Sequence, residues 1–168
     1  MMFMATLLML LLLTHNFTAQ TSPKFMDHPV AVYTGKLHNP KWIRKVGPDE
    51  WRDRLDKLTV PPEVNFAGKY FVAVHSCGTQ CRYYSMTDLT TGRDLDLLSD
   101  FGSADPPPKT RDGHTYIADL ITLANSKMLV AQYYVQFPGD VECRERTFVF
   151  EDGKITPITG TRRTCTKY

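Results

Sequence analysis

The first hydrophobic pattern in the chain has the spacing of a helix. Trp51, Leu55 and Leu58 stand at positions i, i+4 and i+7, which form one apolar face of a helix. Pro48 is suited to a first helical turn, acidic residues follow it, and a proline pair comes after the last apolar position. The pattern predicts one short helix over residues 48–58.

Beyond this segment the hydrophobic pattern is that of strands. Runs of aromatic and β-branched residues alternate with turn signals such as Thr-Thr-Gly, Asn-Ser-Lys and Asp-Gly. The predicted strands are residues 70–75, 82–89, 94–98, 116–124, 128–136, 142–151 and 154–158. The fold class is therefore mainly β to α+β, an antiparallel meander of about seven strands with one short N-terminal helix.

The N-terminal stretch has a different composition. Its uncharged apolar run is about ten residues long, whereas a membrane-spanning helix needs about 20. This length is typical of a cleaved signal peptide, with an uncleaved anchor as the alternative. The predicted division is a signal peptide at 1–19, an extended arm at 20–46 with a short strand at 30–34, and a disulfide-stapled sheet domain at 47–168.

Overall composition narrows the class of protein. The chain has 168 residues and a formal net charge of +2, which fits one domain after signal cleavage. So small an excess of positive charge does not favour nucleic acid as a partner. A cleaved signal leaves no membrane span, and it predicts a periplasmic or secreted protein.

The four cysteines support an oxidising compartment. Four cysteines allow three pairings. Cys77 and Cys81 enclose only three residues in the stretch CGTQC, so a disulfide between them would fix a turn between two strands. Cys143 and Cys165 would then pair and staple the tail to the sheet. Crossed pairing with the first two cysteines is the alternative.

The stretch HSCGTQC also allows a metal site or a redox pair. His75 with thiolates at Cys77 and Cys81 would suit copper or zinc. An oxidising compartment weakens this alternative, because it favours the disulfide. The C-x-x-x-C spacing also differs from the C-x-x-C of thioredoxin-type pairs. The favoured interpretation has no metal and no cofactor.

A catalytic constellation is not evident in the sequence. The serines at 76, 85 and 99 do not lie in a nucleophile-elbow context. Whether the protein is an enzyme stays open, with a non-catalytic role favoured. The predicted binding residues surround the CGTQC turn, which ring closure would preorganise for contact. They are His75, Ser76, Gly78, Thr79, Gln80, Tyr83 and Tyr84.

Four motifs together resemble a family of small exported bacterial proteins, most of them functionally uncharacterised. The motifs are YTGK at 33–36, NFAGKY at 65–70, CGTQC at 77–81 and DLTTG at 88–92. The family often has Trp-Gly before the first cysteine, where this chain has His75 and Ser76. The resemblance implies an exported antiparallel-sheet protein and assigns no catalytic residues.

A looser similarity connects the chain with the periplasmic inhibitors of vertebrate lysozyme. Those proteins also carry a short cysteine-closed loop on a sheet-rich exported domain, but their loop is one residue longer and contains a histidine. The sequence predicts an exported, non-catalytic protein of the cell envelope that binds another protein, with inhibition or neutralisation of a lytic enzyme as the favoured activity. The alternatives are an envelope metal-handling protein and an enzyme of unfamiliar type. Oligomeric state is not predicted.

Overall fold

The computed structural model describes residues 22–103 and 106–168. The predicted signal peptide lies outside these residues. Within them the chain forms ten strands and two short 3₁₀ turns, at Phe25–Asp27 and Ser99–Phe101. The strands are β1 (Arg44–Lys45), β2 (Trp51–Arg52), β3 (Leu58–Thr59), β4 (Tyr70–Gly78), β5 (Cys81–Asp88), β6 (Arg93–Leu95), β7 (Tyr116–Thr122), β8 (Met128–Phe137), β9 (Asp140–Glu151) and β10 (Lys154–Pro157).

The strands are divided among three antiparallel sheets within the described residues. The sheet orders are β1-β2-β3, β4-β5-β6 and β10-β9-β8-β7. The mainly-β prediction is confirmed, but the single seven-stranded meander is wrong. The turn signals predict links between neighbouring strands of one sheet, whereas the segment between β6 and β7 leads from one sheet to another.

The main core lies between the β4-β5-β6 sheet and the four-stranded sheet. Phe66, Met86 and Leu129 are fully buried there. The rings of Tyr70 and Phe150 join the two sheets edge-to-face, with centroids 5.1 Å apart. Such edge-to-face pairs add about 0.5–1.5 kcal/mol beyond the area they bury.

A second, smaller core lies on the opposite face of β4. Phe71 and Ala73 pack there against Trp42, Ile43 and Leu89. The indole of Trp42 stacks on the Phe71 ring with centroids 6.2 Å apart. The β4-β5-β6 sheet is therefore covered on both sides, which agrees with the apolar character of both faces at the start of β4.

The segment predicted as a helix forms turns and two short strands, so the helix over 48–58 is wrong. The carboxylate of Asp53 accepts hydrogen bonds from the backbone N–H groups of Leu55 and Lys57, at 2.8 and 3.0 Å. These bonds offer the backbone a local alternative to helical hydrogen bonding. Asp56 has a φ of 60°, outside the right-handed helical region.

The NFAG motif fixes the entry into β4. The side-chain amide of Asn65 donates to Val72 O at 2.8 Å, and its Oδ1 accepts from Val72 N at 2.7 Å. Phe66 is fully buried in the main core. Gly68 has a φ of 79°, and a Cβ there would lie 2.5 Å from the carbonyl oxygen of Ala31. Glycine is required at this position because the arm crosses directly over it.

The arm is extended and held by backbone hydrogen bonds. Val30 N donates to Asn125 O at 3.0 Å, and Tyr33 N donates to Gly68 O at 2.7 Å. Residues 30–34 do not form the predicted strand, because these bonds go to separate parts of the fold rather than to one neighbouring strand. No helix among the described residues is long and apolar enough to span a membrane.

Candidate functional site

The β4–β5 hairpin ends in a turn that a disulfide closes. Cys77 is bonded to Cys81, as the sequence predicted. Gly78 pairs with Cys81 across the turn, so that only Thr79 and Gln80 connect the two strands. Gly78 and Gln80 have φ values of 137° and 59°. We call residues 77–81 the tip. Its three central residues are solvent-exposed.

The hairpin register divides the predicted binding residues between two faces. His75 pairs with Tyr83, and their side chains share the face that carries the smaller core. Ser76 and Tyr84 point to the opposite face. The seven residues therefore do not form one surface. The structure brings Ser76, Tyr84 and the tip together, and it places His75 and Tyr83 elsewhere.

A cleft of about 850 Å³ lies beside the tip, and we call it the tip cleft. It lies between the hairpin and strands β7 and β8. Val74 projects into solvent here with 58% of its surface exposed, and it does not belong to the main core. The apolar lining comes from Leu58, Val74, Ile117, Leu120, Ile121 and Tyr134.

Two polar contacts hold the hairpin against β7 at the tip cleft. Tyr84 donates its hydroxyl hydrogen to Ala118 O at 2.8 Å. Arg82 forms an ion pair with Asp119. Burial raises the pKa of the Tyr84 hydroxyl, so it stays protonated and remains a donor across the physiological range. The walls of the cleft are therefore fixed relative to each other.

Thr79 lies on the other side of the tip. There it borders a second hollow of about 310 Å³, together with Pro107, Tyr116 and Gln136. Gly78, Gln80, Cys81 and Ile117 line both this hollow and the tip cleft. The tip is therefore accessible from two sides, with an apolar cleft on one of them.

His75 lies in a separate cavity of about 230 Å³. Its ring stacks flat on Tyr83 and meets the Trp42 ring edge-on at a centroid distance of 4.6 Å. Its Nε2 is 2.9 Å from Ser85 Oγ. Burial lowers the pKa of His75 below its ordinary value, and the carboxylate of Asp53 offsets part of that shift. The imidazole is therefore held in its neutral form.

The three residues of the metal alternative are not assembled as ligands. Cys77 and Cys81 are joined to each other, which removes both thiolates. His75 instead directs Nε2 to Ser85. Among residues 22–103 and 106–168, no group of three or more His, Cys, Asp or Glu side chains is placed to hold a metal ion.

The second disulfide anchors the tail beside a buried carboxylate. Cys143 is bonded to Cys165, the pairing that the sequence favoured. Glu145 is fully buried and accepts hydrogen bonds from Gln132 Nε2 and Thr166 N, each at 2.9 Å. Arg162 forms an ion pair with it. Burial raises the pKa of Glu145, but these hydrogen bonds outweigh it, so the pKa lies below its ordinary value.

Sequence reasoning missed a cavity of about 340 Å³ with basic walls, which we call the basic recess. Its charged and aromatic lining consists of Lys109, Arg111, Arg144, Arg146, Tyr116 and Tyr133. The alternating arginines of β9 were the available signal, since alternation places both on one face of the strand. The basic residues of the preceding loop come from more than thirty positions earlier in the chain, so their proximity could not be predicted.

Comparison with known proteins does not assign the chain to a class. No protein-family model, no curated protein and no solved structure matches it. The resemblance to exported bacterial proteins therefore stays a prediction. The functional interpretation depends on the tip, the tip cleft and the two smaller cavities themselves.

Proposed function

We propose that this is an exported, non-catalytic binding protein of the cell envelope that contacts another protein through the tip and the tip cleft. The exposed, disulfide-closed tip beside a cleft of about 850 Å³ is the observation that carries the proposal. The favoured partner is a lytic enzyme, which the protein would inhibit or neutralise. Export is supported by the apolar N-terminal run and by two disulfides.

The tip is suited to binding because its shape is fixed before contact. The Cys77–Cys81 bond and the pairing of Gly78 with Cys81 leave little freedom in the turn. A loop that is already in its bound conformation loses less entropy on association. Gln80 has a left-handed backbone, and conformations of this kind are often found at ligand contacts.

The tip cleft is suited to receive part of a protein partner. Its exposed apolar side chains include Val74 and Leu58, at 58% and 71% exposure. Fixed apolar grooves bordered by polar groups are a common form of binding site. A projecting tip next to such a groove can fill a concave active site while the groove receives an adjacent loop of the same enzyme.

The test is inhibition of purified cell-wall lytic enzymes by the purified mature protein. A panel should contain a muramidase, a glucosaminidase and an amidase, with binding measured by biolayer interferometry. We expect saturable inhibition of at least one enzyme. Gln80→Arg at the tip should weaken binding at least 10-fold, which corresponds to about 1.4 kcal/mol, because it places a long charged side chain in the contact.

Thr164→Arg is the matched control, because Thr164 is exposed and does not line the tip cleft. It should bind like the natural sequence. The proposal fails if no enzyme of the panel is bound, or if both substitutions weaken binding equally. Amino-terminal sequencing of the exported protein tests the cleavage after Ala19 at the same time.

A second candidate function is that of an enzyme with a serine nucleophile, and the contact between His75 and Ser85 supports it. Their Nε2–Oγ distance of 2.9 Å is that of a serine nucleophile and its general base. Asp53 borders the same cavity and acts electrostatically on the imidazole. This enzymatic function ranks second because the hydrogen bonds that Asp53 Oδ1 accepts come from backbone N–H groups of its own turn. Covalent labelling of Ser85 by a fluorophosphonate, absent in His75→Phe, would establish it.

A further inference from the structure

Four cationic side chains line the basic recess, and no carboxylate belongs to its described lining. Arg144 is paired, with its Nε 2.6 Å from Glu142 Oε1 and an amino nitrogen 3.4 Å from Asp112 Oδ2. Lys109, Arg111 and Arg146 form no ion pair with a carboxylate within 4.0 Å among the residues that the structure describes. Within the part of the chain that the structure describes, three cations without a carboxylate partner therefore border one cavity of about 340 Å³.

The position of Arg146 is fixed by the sheet. Its Nε donates to Thr159 O at 3.2 Å, and its guanidinium lies over the Phe148 ring at 5.5 Å from the centroid. These two contacts leave the terminal amino groups as available donors. A guanidinium with a fixed plane can donate two parallel hydrogen bonds to one oxyanion.

The turn that carries Lys109 and Arg111 is also preorganised. Lys109 and Thr115 form an isolated antiparallel β-bridge through their backbones, and Thr110 N donates to His114 O at 2.8 Å. The Thr110 hydroxyl lies 3.1 Å from both His114 O and His114 N. The two basic side chains therefore project from a closed turn rather than from a loose loop.

Two tyrosines complete the recess with neutral hydroxyl groups. The rings of Tyr116 and Tyr133 meet edge-to-face at 5.3 Å. Burial is the main cause that raises the pKa of Tyr133 to about 12 and raises the pKa of Tyr116, and the nearby carboxylate of Asp100 adds to both shifts. Both hydroxyls stay protonated in the physiological range and can donate hydrogen bonds. They add hydrogen-bonding capacity without adding negative charge.

We propose that the basic recess binds a phosphate group, as a diphosphate or a phosphate monoester. Phosphate carries up to two charges and three acceptor oxygens on one centre, which matches the cationic lining and the neutral hydroxyl donors better than a single carboxylate does. Arginine and lysine are the side chains that most often bind phosphate. This site is separate from the tip cleft, and it would exist whether or not the tip binds a lytic enzyme.

The experiment is calorimetric titration of the full folded chain with sodium pyrophosphate at about 0.05 M salt. At this ionic strength the electrostatic screening length exceeds about 10 Å. We expect saturable binding that weakens as salt is added. The double variant Lys109→Gln/Arg111→Gln should bind at least 10-fold more weakly. Both changes are at exposed positions, so the fold should be retained.

The matched control is Lys154→Gln/Lys167→Gln, which removes two exposed charges that do not line the recess. It should bind pyrophosphate within about twofold of the natural sequence, as should the tip variant Gln80→Arg. The proposal is overturned if pyrophosphate does not bind, or if both double variants lose affinity equally, since net charge alone would then explain binding. Binding of citrate but not of pyrophosphate would overturn the phosphate assignment.

Discussion

The imidazole of His75 lies flat against the phenol ring of Tyr83, with centroids 4.5 Å apart and ring planes 10° apart. The two residues are direct partners across the β4–β5 hairpin. This stack leaves His75 only 8% exposed, although it is two residues from the exposed tip. It explains why a histidine next to CGTQC belongs to the packing of the hairpin rather than to the tip surface.

Stability should fall in mild acid because of His75. Burial lowers the pKa of His75 in the folded protein below its ordinary 6.5. Below about pH 6.5 the unfolded chain therefore binds a proton that the folded chain does not, and the free energy of unfolding falls by at most about 1.4 kcal/mol per pH unit. Urea unfolding between pH 7.5 and about pH 5 measures this slope.

The variant His75→Phe keeps an aromatic ring and removes the titration, so its slope over that range should be shallower. His38→Gln serves as the control, because His38 is exposed. An unchanged slope in His75→Phe would contradict the prediction.

Glu145 should contribute strongly to stability above its own pKa. Glu145→Gln removes the charge that pairs with Arg162 and accepts from Thr166 N, and we expect a loss of about 2–4 kcal/mol at pH 7. Because hydrogen bonds lower the pKa of Glu145 in the folded state, its contribution is present above pH 4.5 and is lost as pH falls through that lowered pKa. Chemical unfolding at pH 7 and in acid measures both effects.

Glu151→Gln is the control for this substitution. Glu151 is exposed, and its nearest cation is Lys127 Nζ at 3.8 Å. Exposed pairs of this kind contribute about 0–1 kcal/mol. Equal losses in the two variants would show that Glu145 acts as an ordinary surface charge.

The backbone at Gln80 predicts an unusual response to glycine. Gln80 has a φ of 59°, which costs a non-glycine residue about 1 kcal/mol or more. Gln80→Gly should therefore leave thermal stability unchanged or raise it, whereas Gln80→Val should lower it. Thr79→Gly is the comparison, since Thr79 is not among the residues with positive φ, and there glycine should destabilise. Melting temperatures that fall equally in both glycine variants would oppose this account.

The hydroxyl of Tyr84 should stabilise the tip cleft. Tyr84→Phe removes the donor to Ala118 O and leaves that carbonyl without this partner, for a loss of about 1 kcal/mol. Hydrogen exchange should also become faster in β5 and β7 near the cleft. Tyr83→Phe is the control, because the Tyr83 ring is 42% exposed on the other face. Unchanged exchange in Tyr84→Phe would mean that the ion pair of Arg82 alone holds the walls.

The two disulfides should differ in their effect on stability. In the chain-entropy model, the Cys143–Cys165 bond, with a sequence separation of 22, contributes about 3 kcal/mol. The Cys77–Cys81 bond, with a separation of 4, contributes about 2 kcal/mol. Paired Cys→Ser variants, compared by urea unfolding, should follow this order. The reverse order would indicate that the tip stabilises the hairpin by more than loop closure.

Most strands were predictable from the sequence because their signals are local. Alternating β-branched and aromatic residues place β8 and β9 almost as observed. The failed helix shows the limit of periodicity, since one carboxylate, that of Asp53, redirects the backbone with two hydrogen bonds. The candidate site was predicted only in part. The seven predicted binding residues were grouped by their nearness in sequence to the tip, whereas the alternation of side chains in β4 puts His75 and Ser76 on opposite faces. Which elements cover each face depends on contacts between segments that are distant in the chain.

The contact of Ser126 with the arm has a consequence for how the protein folds. Ser126 Oγ donates to Phe25 O across 101 positions of the chain, and Lys127 N donates to His28 O at 2.8 Å. A contact between such distant positions forms slowly, and only after the β7–β8 turn exists to receive it. We expect arm docking to be the last step of folding and the first to reverse, so proteases should cut the arm while the β4-β5-β6 sheet and the four-stranded sheet are still intact.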